Sequence, residues 1–207
     1  MSKSFSRHNA DTENDAALIQ QGYVKKDFSF SPGTAYAYII LFLIPAAALL
    51  LYIYAIRFSG KAIQISLSGL TDLIMLALFG LGFLLLTTAH ELLHALAAII
   101  FCQAKRKDIR FGVIWKVLTP YTHCTLPMTP AQYKIVLFLP NIVLGILPYI
   151  LSLVIGSPLM YWYASLMLLG GLGDLFIYIQ TTRLPAEALI IDHPSKIGFL
   201  AYIKESH

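Results

Sequence analysis

Between Leu70 and Phe101 the chain reads LTDLIMLALFGLGFLLLTTAHELLHALAAIIF, a stretch whose only ionisable side chains are Asp72, His90, Glu91 and His94. About 20 apolar residues span the hydrocarbon core of a bilayer, so these residues form a transmembrane helix with length to spare. Such a helix tilts, projects beyond the membrane, or breaks near Gly80 or Gly82. Ionisable groups within it are costly and by default mark a site or an ion pathway.

Three further apolar segments flank it. The first runs from Ala35 to Ile56, with Pro45 as a kink, the third from Ile135 to Ile155, with Pro140 and Pro148, and the fourth from Leu159 to Gln180. Only Gly156-Ser157-Pro158 separates the last two, which predicts an antiparallel helical hairpin. Composition agrees: 57% of the 207 residues are apolar and 13% are charged, against roughly a quarter charged in soluble domains. The expected fold is an all-α membrane protein, a polytopic bundle of about four transmembrane helices. A polar segment, residues 1–34, precedes the membrane domain of residues 35–180, and a short tail, residues 181–207, follows it.

Basic loops are retained on the cytoplasmic side. With both termini inside, residues 1–34, 102–134 and 181–207 carry thirteen Lys and Arg, and the outer loops carry only Arg57 and Lys61. The expected location is therefore a membrane with cytoplasmic termini, a bacterial inner membrane being the expected case. The net charge of +4 is too small to suggest nucleic acid as a partner. Residues 1–34 lack a short apolar stretch ending in a cleavage site, so the first membrane helix is expected to act as the insertion signal. Residues 102–134 are too polar to span, and their β-branched and aromatic run from Ile109 to Val117 predicts a short cytosolic strand or hairpin between helices two and three. A second extended piece is expected around Tyr121 to Thr125, bounded by Thr119-Pro120 and by the breakers from Leu126 to Pro130. Cys102 and Cys124 fall on the cytosolic side and are expected to be free thiols.

His90-Glu91-Leu92-Leu93-His94 is an H-E-x-x-H pattern. Residues four apart share a helix face, so both imidazoles can reach one zinc ion, with Glu91 beside them to take a proton from an attacking water. A catalytic zinc needs a third protein ligand and one open position. Asp174, the only acidic or basic residue of the fourth helix, is the candidate, and Gly170, Gly171 and Gly173 before it allow another helix to come close. Helices two and four run in the same direction, and His94 and Asp174 each lie about 10 Å from the cytosolic end at 1.5 Å per residue. The competing reading of these residues is a buried polar network without metal. Asn141, beside Pro140, is a weaker candidate for holding a substrate backbone or an oxyanion, with a helix-to-helix hydrogen bond as its alternative. His123-Cys124 has metal-capable chemistry but no companion at metal spacing, and a structural role is expected. Asp72 belongs at the outer helix end; His8, His193 and His207 are expected to be solvated, and Tyr161, Trp162 and Tyr163 to form an interfacial belt.

From the helix bearing His90-Glu91-Leu92-Leu93-His94 onward, through Phe138-Leu139-Pro140-Asn141 and the late aspartate helix to the closing run from Asp192 to Phe199, the chain resembles the putative zincin peptidases of bacterial membranes, a group similar to the site-2 class of intramembrane metalloproteases. The resemblance implies zinc held by His90, His94 and Asp174, Glu91 as general base, and a membrane-spanning or membrane-associated polypeptide as substrate. Site-2 proteases usually place the aspartate just before a glycine, whereas here Gly173 precedes Asp174 and Leu175 follows it. The activity expected is zinc-dependent endoproteolysis within or beside the bilayer. A non-catalytic membrane scaffold or chaperone of the same fold is the alternative. Retention of Glu91 favours catalysis, since a structural zinc site needs ligands but no base. A zinc transporter is disfavoured because the outer half of the bundle lacks further metal-binding groups.

Overall fold

A computed structural model describes residues 15–59, 69–114, 119–193 and 196–204. His8, Lys61, residues 115–117 of the expected strand, and His207 lie outside the described residues.

Helix α1, Pro32–Arg57, opens on a capping serine, Ser31, whose hydroxyl accepts from the Thr34 N–H at 3.2 Å. Proline in the first turn costs no hydrogen bond there. Pro45 lies inside the helix without ending it. Helix α2, Leu70–Cys102, is continuous over 33 residues and does not break at either glycine. At Gly82 the reason is visible: the Tyr163 ring occupies the place a Cβ would take, and its hydroxyl donates to the Phe79 carbonyl at 3.1 Å. The glycine therefore admits a neighbouring helix. Gln103, in the left-handed conformation at φ 57°, closes α2.

The next span is one helical stretch from Pro130 to Ile155. It comprises α3, Pro130–Pro140, a π-helical stretch, Asn141–Ile146, and α4, Leu147–Ile155. It starts five residues before the expected Ile135, because Thr129-Pro130-Ala131-Gln132 is a capping box. The Gln132 N–H donates to the Thr129 hydroxyl at 3.3 Å, and Gln132 Oε1 accepts from the Thr129 N–H at 2.9 Å. After the left-handed Gly156, α5 runs over Pro158–Gly170 and α6 over Leu172–Thr181. The expected single fourth helix is thus two, bent by 42°. At the bend Asn141 packs so closely on Gly171 that any Cβ there would collide with it. Among the described residues, three helical stretches are long and apolar enough to cross a membrane, and the bent pair is a fourth candidate.

The chain is mostly helical but not all-α. Strand β1, Tyr23–Phe30, pairs antiparallel with β5, Ile197–Lys204, which also pairs with β4, Leu189–Asp192. The two flanking segments read as polar appendages therefore share one sheet. Their pairing joins residues some 170 positions apart, and alternation within eight residues gives no hint of such a partner. Phe28 and Phe199 stack across it at 5.1 Å. Met128 and Ile190 exchange backbone hydrogen bonds of 2.8 and 2.7 Å, which fastens the sheet to the start of α3.

A second antiparallel pair, β2, Ile109–Ile114, and β3, Thr119–Cys124, is the expected hairpin between the second and third membrane segments. The main core lies where the helices meet the sheets. Ala97, Ala98 and Cys102 of α2, Tyr133 and Val136 of α3, and Met128, Ile190 and Phe199 form one buried cluster. Burying side chains such as Ile190 and Phe199 contributes about 1.5–3 kcal/mol each. Toward its N-terminus α2 instead presents Leu73, Leu78, Leu81, Leu84 and Leu85 outward, as a lipid-facing helix does.

Candidate metal centre

The α-helical repeat puts His90 and His94 one turn apart, with ring centroids 4.8 Å apart and planes at 78°. The donor atoms of His90, Glu91 and His94 all lie within 4.8 Å of one another. Asp174 enters from the first turn of α6, just beyond the bend at Gly171. Its Oδ2 is 3.0 Å from His90 Nε2 and 3.5 Å from His94 Nε2. Two segments 84 residues apart in sequence thus deliver three metal-capable atoms to one point.

These distances test the site against zinc. Ligands about 2.0–2.1 Å from a tetrahedral ion lie about 3.3 Å from one another. The two Asp174–histidine separations fall on either side of that figure, as those between ligands of one ion would. Ring orientation fits as well. His94 Nδ1 donates to the Val136 carbonyl at 2.8 Å, since a carbonyl can only accept. Nε2 then faces Asp174, the arrangement seen where a second hydrogen bond orients a metal-binding histidine. The His90, His94 and Asp174 side chains keep 13%, 10% and 23% of their surface exposed.

The hairpin lies alongside. Thr122 Oγ1 donates to the Glu91 carbonyl at 2.9 Å, holding β3 against α2 at the motif. Asn141 is placed elsewhere: it is buried against Gly171, and its amide nitrogen reaches the Leu137 carbonyl at 3.5 Å. It packs across the helix pair against Gly171, but its hydrogen bond stays within its own helical stretch, which supports neither an oxyanion role nor a helix-to-helix hydrogen bond. His123 and Cys124 are buried on β3; the metal-capable group found among the described residues is His90, Glu91 and His94, and it includes neither of them nor Asp174. Burial pushes the Cys124 thiol up to about 12. Asp72 stands in the first turn of α2, at the far end from the site.

Sequence reasoning gave Asp192 no role, and it ties three elements together beside this region. Its Oδ2 accepts from the Cys124 N–H at 2.8 Å and its Oδ1 from the Tyr133 hydroxyl at 2.6 Å. The run from Asp192 to Phe199, part of the resemblance, is the sequence signal that marks it. His193 next to it is partly buried, not solvated, and its Nδ1 accepts the Lys196 N–H at 3.0 Å.

A family model described as "putative zincin peptidase" matches residues 83–189, just over half of the chain. The chain belongs to this family. In this zincin-like chain the matched region takes in the H-E-x-x-H motif, the hairpin, Pro140 and Asp174, so every residue brought to the candidate centre lies inside it. The family's description accords with a metal-capable group at His90, Glu91 and His94. No curated protein and no solved structure matches the chain.

Proposed function

We propose that this zincin-like chain is a zinc-dependent endopeptidase that hydrolyses a peptide bond of a membrane-spanning or membrane-associated polypeptide, within or beside the bilayer. The observation that carries the reading is the approach of the Asp174 carboxylate to Nε2 of both motif histidines. In this reading His90, His94 and Asp174 hold the ion. When bound, zinc supplies a Lewis acid that brings the pKa of a water toward neutrality and polarises the scissile carbonyl. Glu91, next to His90 and partly exposed, accepts the proton of the attacking water and passes it to the leaving amine. The Val136 carbonyl holds the His94 ring in place throughout.

A helical substrate hides its peptide bonds, so an extended stretch must be presented for attack. Strand β2 offers a means. It is the outer member of a two-stranded sheet whose other strand is fastened to α2 beside Glu91, and Phe111 and Val113 on it are exposed. An extended substrate can add along that edge by backbone pairing. The excess of Lys and Arg in residues 1–34, 102–134 and 181–207 supports cytoplasmic termini, four spans counting the bent pair as one, and a site near the cytosolic face. A bacterial inner membrane and a likeness to site-2 proteases belong to the same proposal.

The test is Glu91→Gln, which keeps the side chain's shape and removes the base. Purified variant and unmodified protein are incubated with a quenched-fluorescent library of apolar peptides. Turnover is expected in the unmodified protein, to stop with 1,10-phenanthroline, and to fall at least 100-fold in the variant, the low end for a positioned general base. Unchanged turnover in Glu91→Gln overturns the mechanism.

A further inference from the structure

We infer that Pro140 is a positioning residue for His94, acting through the hydrogen bond it cannot make. In an α-helix the carbonyl of residue 136 accepts the N–H of residue 140, and proline has none. The following N–H, that of Asn141, goes to the Phe138 carbonyl. The Val136 carbonyl is thereby released inside a packed helix pair, where a lost partner is costly, and His94 Nδ1–H takes it up at 2.8 Å. The pair is buried: His94 is 8% exposed and Val136 7%, and Ala97 and Ala98 of α2 let α3 come close. The consequence is chemical. A proton held on Nδ1 leaves Nε2 to face Asp174 and, on the reading proposed above, the metal. A donor at position 140 would compete for the carbonyl and loosen the ring.

This inference rests on the metal-centre reading only for its consequence; the coupling of Pro140 to His94 stands on the backbone geometry alone. Three forms of the full-length protein distinguish a missing N–H from the bulk of the proline ring. They are the unmodified chain, Pro140→Ala, and a chain with lactic acid at position 140, which has the alanine side chain but an ester oxygen in place of the N–H. The last two leave the same space behind. Two quantities are measured in detergent: the His94 Nδ1–H proton signal of metal-free, 15N-histidine-labelled protein, and the zinc dissociation constant by chelator competition.

The unmodified and ester forms are expected to share a downfield, exchange-protected Nδ1–H, and Pro140→Ala to lose it. Zinc binding in Pro140→Ala is expected to weaken about 10–100-fold, the range for losing an orienting partner of a ligand histidine, with the ester form close to the unmodified one. The inference is overturned if all three forms behave alike, or if the ester and alanine forms lose the signal together, since ring packing is then the cause. If the proton signals follow the prediction and no form binds zinc, the coupling stands and the metal reading falls.

Discussion

Asp174 and Gly171 show how much a single position in this site depends on its neighbours. Asp174 reaches the histidines because α6 leaves α5 at an angle, and the bend is where the Asn141 side chain lies against a residue without a Cβ. A methyl group on Gly171 would lie 1.7 Å from Asn141 Oδ1, whereas one on Gly170 would meet nothing within 4 Å. Gly171→Ala is therefore expected to cost about 1–3 kcal/mol as overpacking and to weaken zinc binding by displacing α6, with Gly170→Ala near neutral in both. Thermal unfolding and chelator competition on the pair read this directly, and equal behaviour of the two variants contradicts it. At this scale the histidine spacing was legible because helical periodicity is local, and Asp174 because it stands alone in an apolar helix. Asn141 was open to two readings because its neighbour lies on another helix. The Val136 carbonyl could not be read at all: an acceptor of the backbone leaves no mark of its own in a sequence, and only Pro140 hints at it.

The sheet of β1, β5 and β4 is the element whose behaviour should depend most on pH. Burial lowers the His193 pKa below its usual value, the positive charges of Lys196 and Lys25 and the neighbouring His123 act the same way, and Asp27, with Oδ2 3.9 Å from Nε2, opposes them. The ring also accepts the Lys196 N–H at Nδ1, a bond that protonation there would break. A histidine with a lower pKa in the folded state binds fewer protons folded than unfolded, so its contribution is complete above about 6.5 and declines as pH falls below that value. Asp27 titrates in a separate window. Its bonds from Ser29 hold it at about 2, so its contribution is lost only as pH falls from about 4 toward 2. Melting temperature is expected to drop between pH 7 and 5, and His193→Gln to flatten that part of the curve; an unaltered slope contradicts the assignment. The β2–β3 hairpin was legible because its breakers and β-branched residues are local. Strands β1 and β5 were not, since each takes its partner from the opposite flank of the membrane segments. Helix α3 starts at Pro130 and not at Ile135, because Thr129-Pro130, a breaker by local composition, is a capping start.

Across the described residues the division is between an exposed apolar end and a packed end. Most of the first half of α2 is exposed, and its partners gather near the motif, where helices, hairpin and sheet meet in one core. The proposed orientation puts that packed end on the cytoplasmic side. Both native cysteines are buried, so an introduced thiol can be labelled against a low background. Ser59→Cys, just after α1, is expected to react with a membrane-impermeant maleimide in intact cells, and Lys204→Cys, at the end of β5, only after permeabilisation. The reverse pattern would invert the orientation and move the site to the outer face. Length and apolar composition made the membrane segments legible, although the bend that brings Asp174 into place arises from packing between helices and not from the composition of either.

The central claim is that His90, His94 and Asp174 hold one metal ion. Elemental analysis of detergent-purified protein, metal-repleted and then dialysed against metal-free buffer, tests it most directly when His90→Ala and Asp174→Ala are measured alongside. The account predicts about one zinc per chain in the unmodified protein, lost in both variants. A folded, unmodified protein without stoichiometric metal would contradict it and leave His90, Glu91, His94 and Asp174 as a buried polar network between two helices.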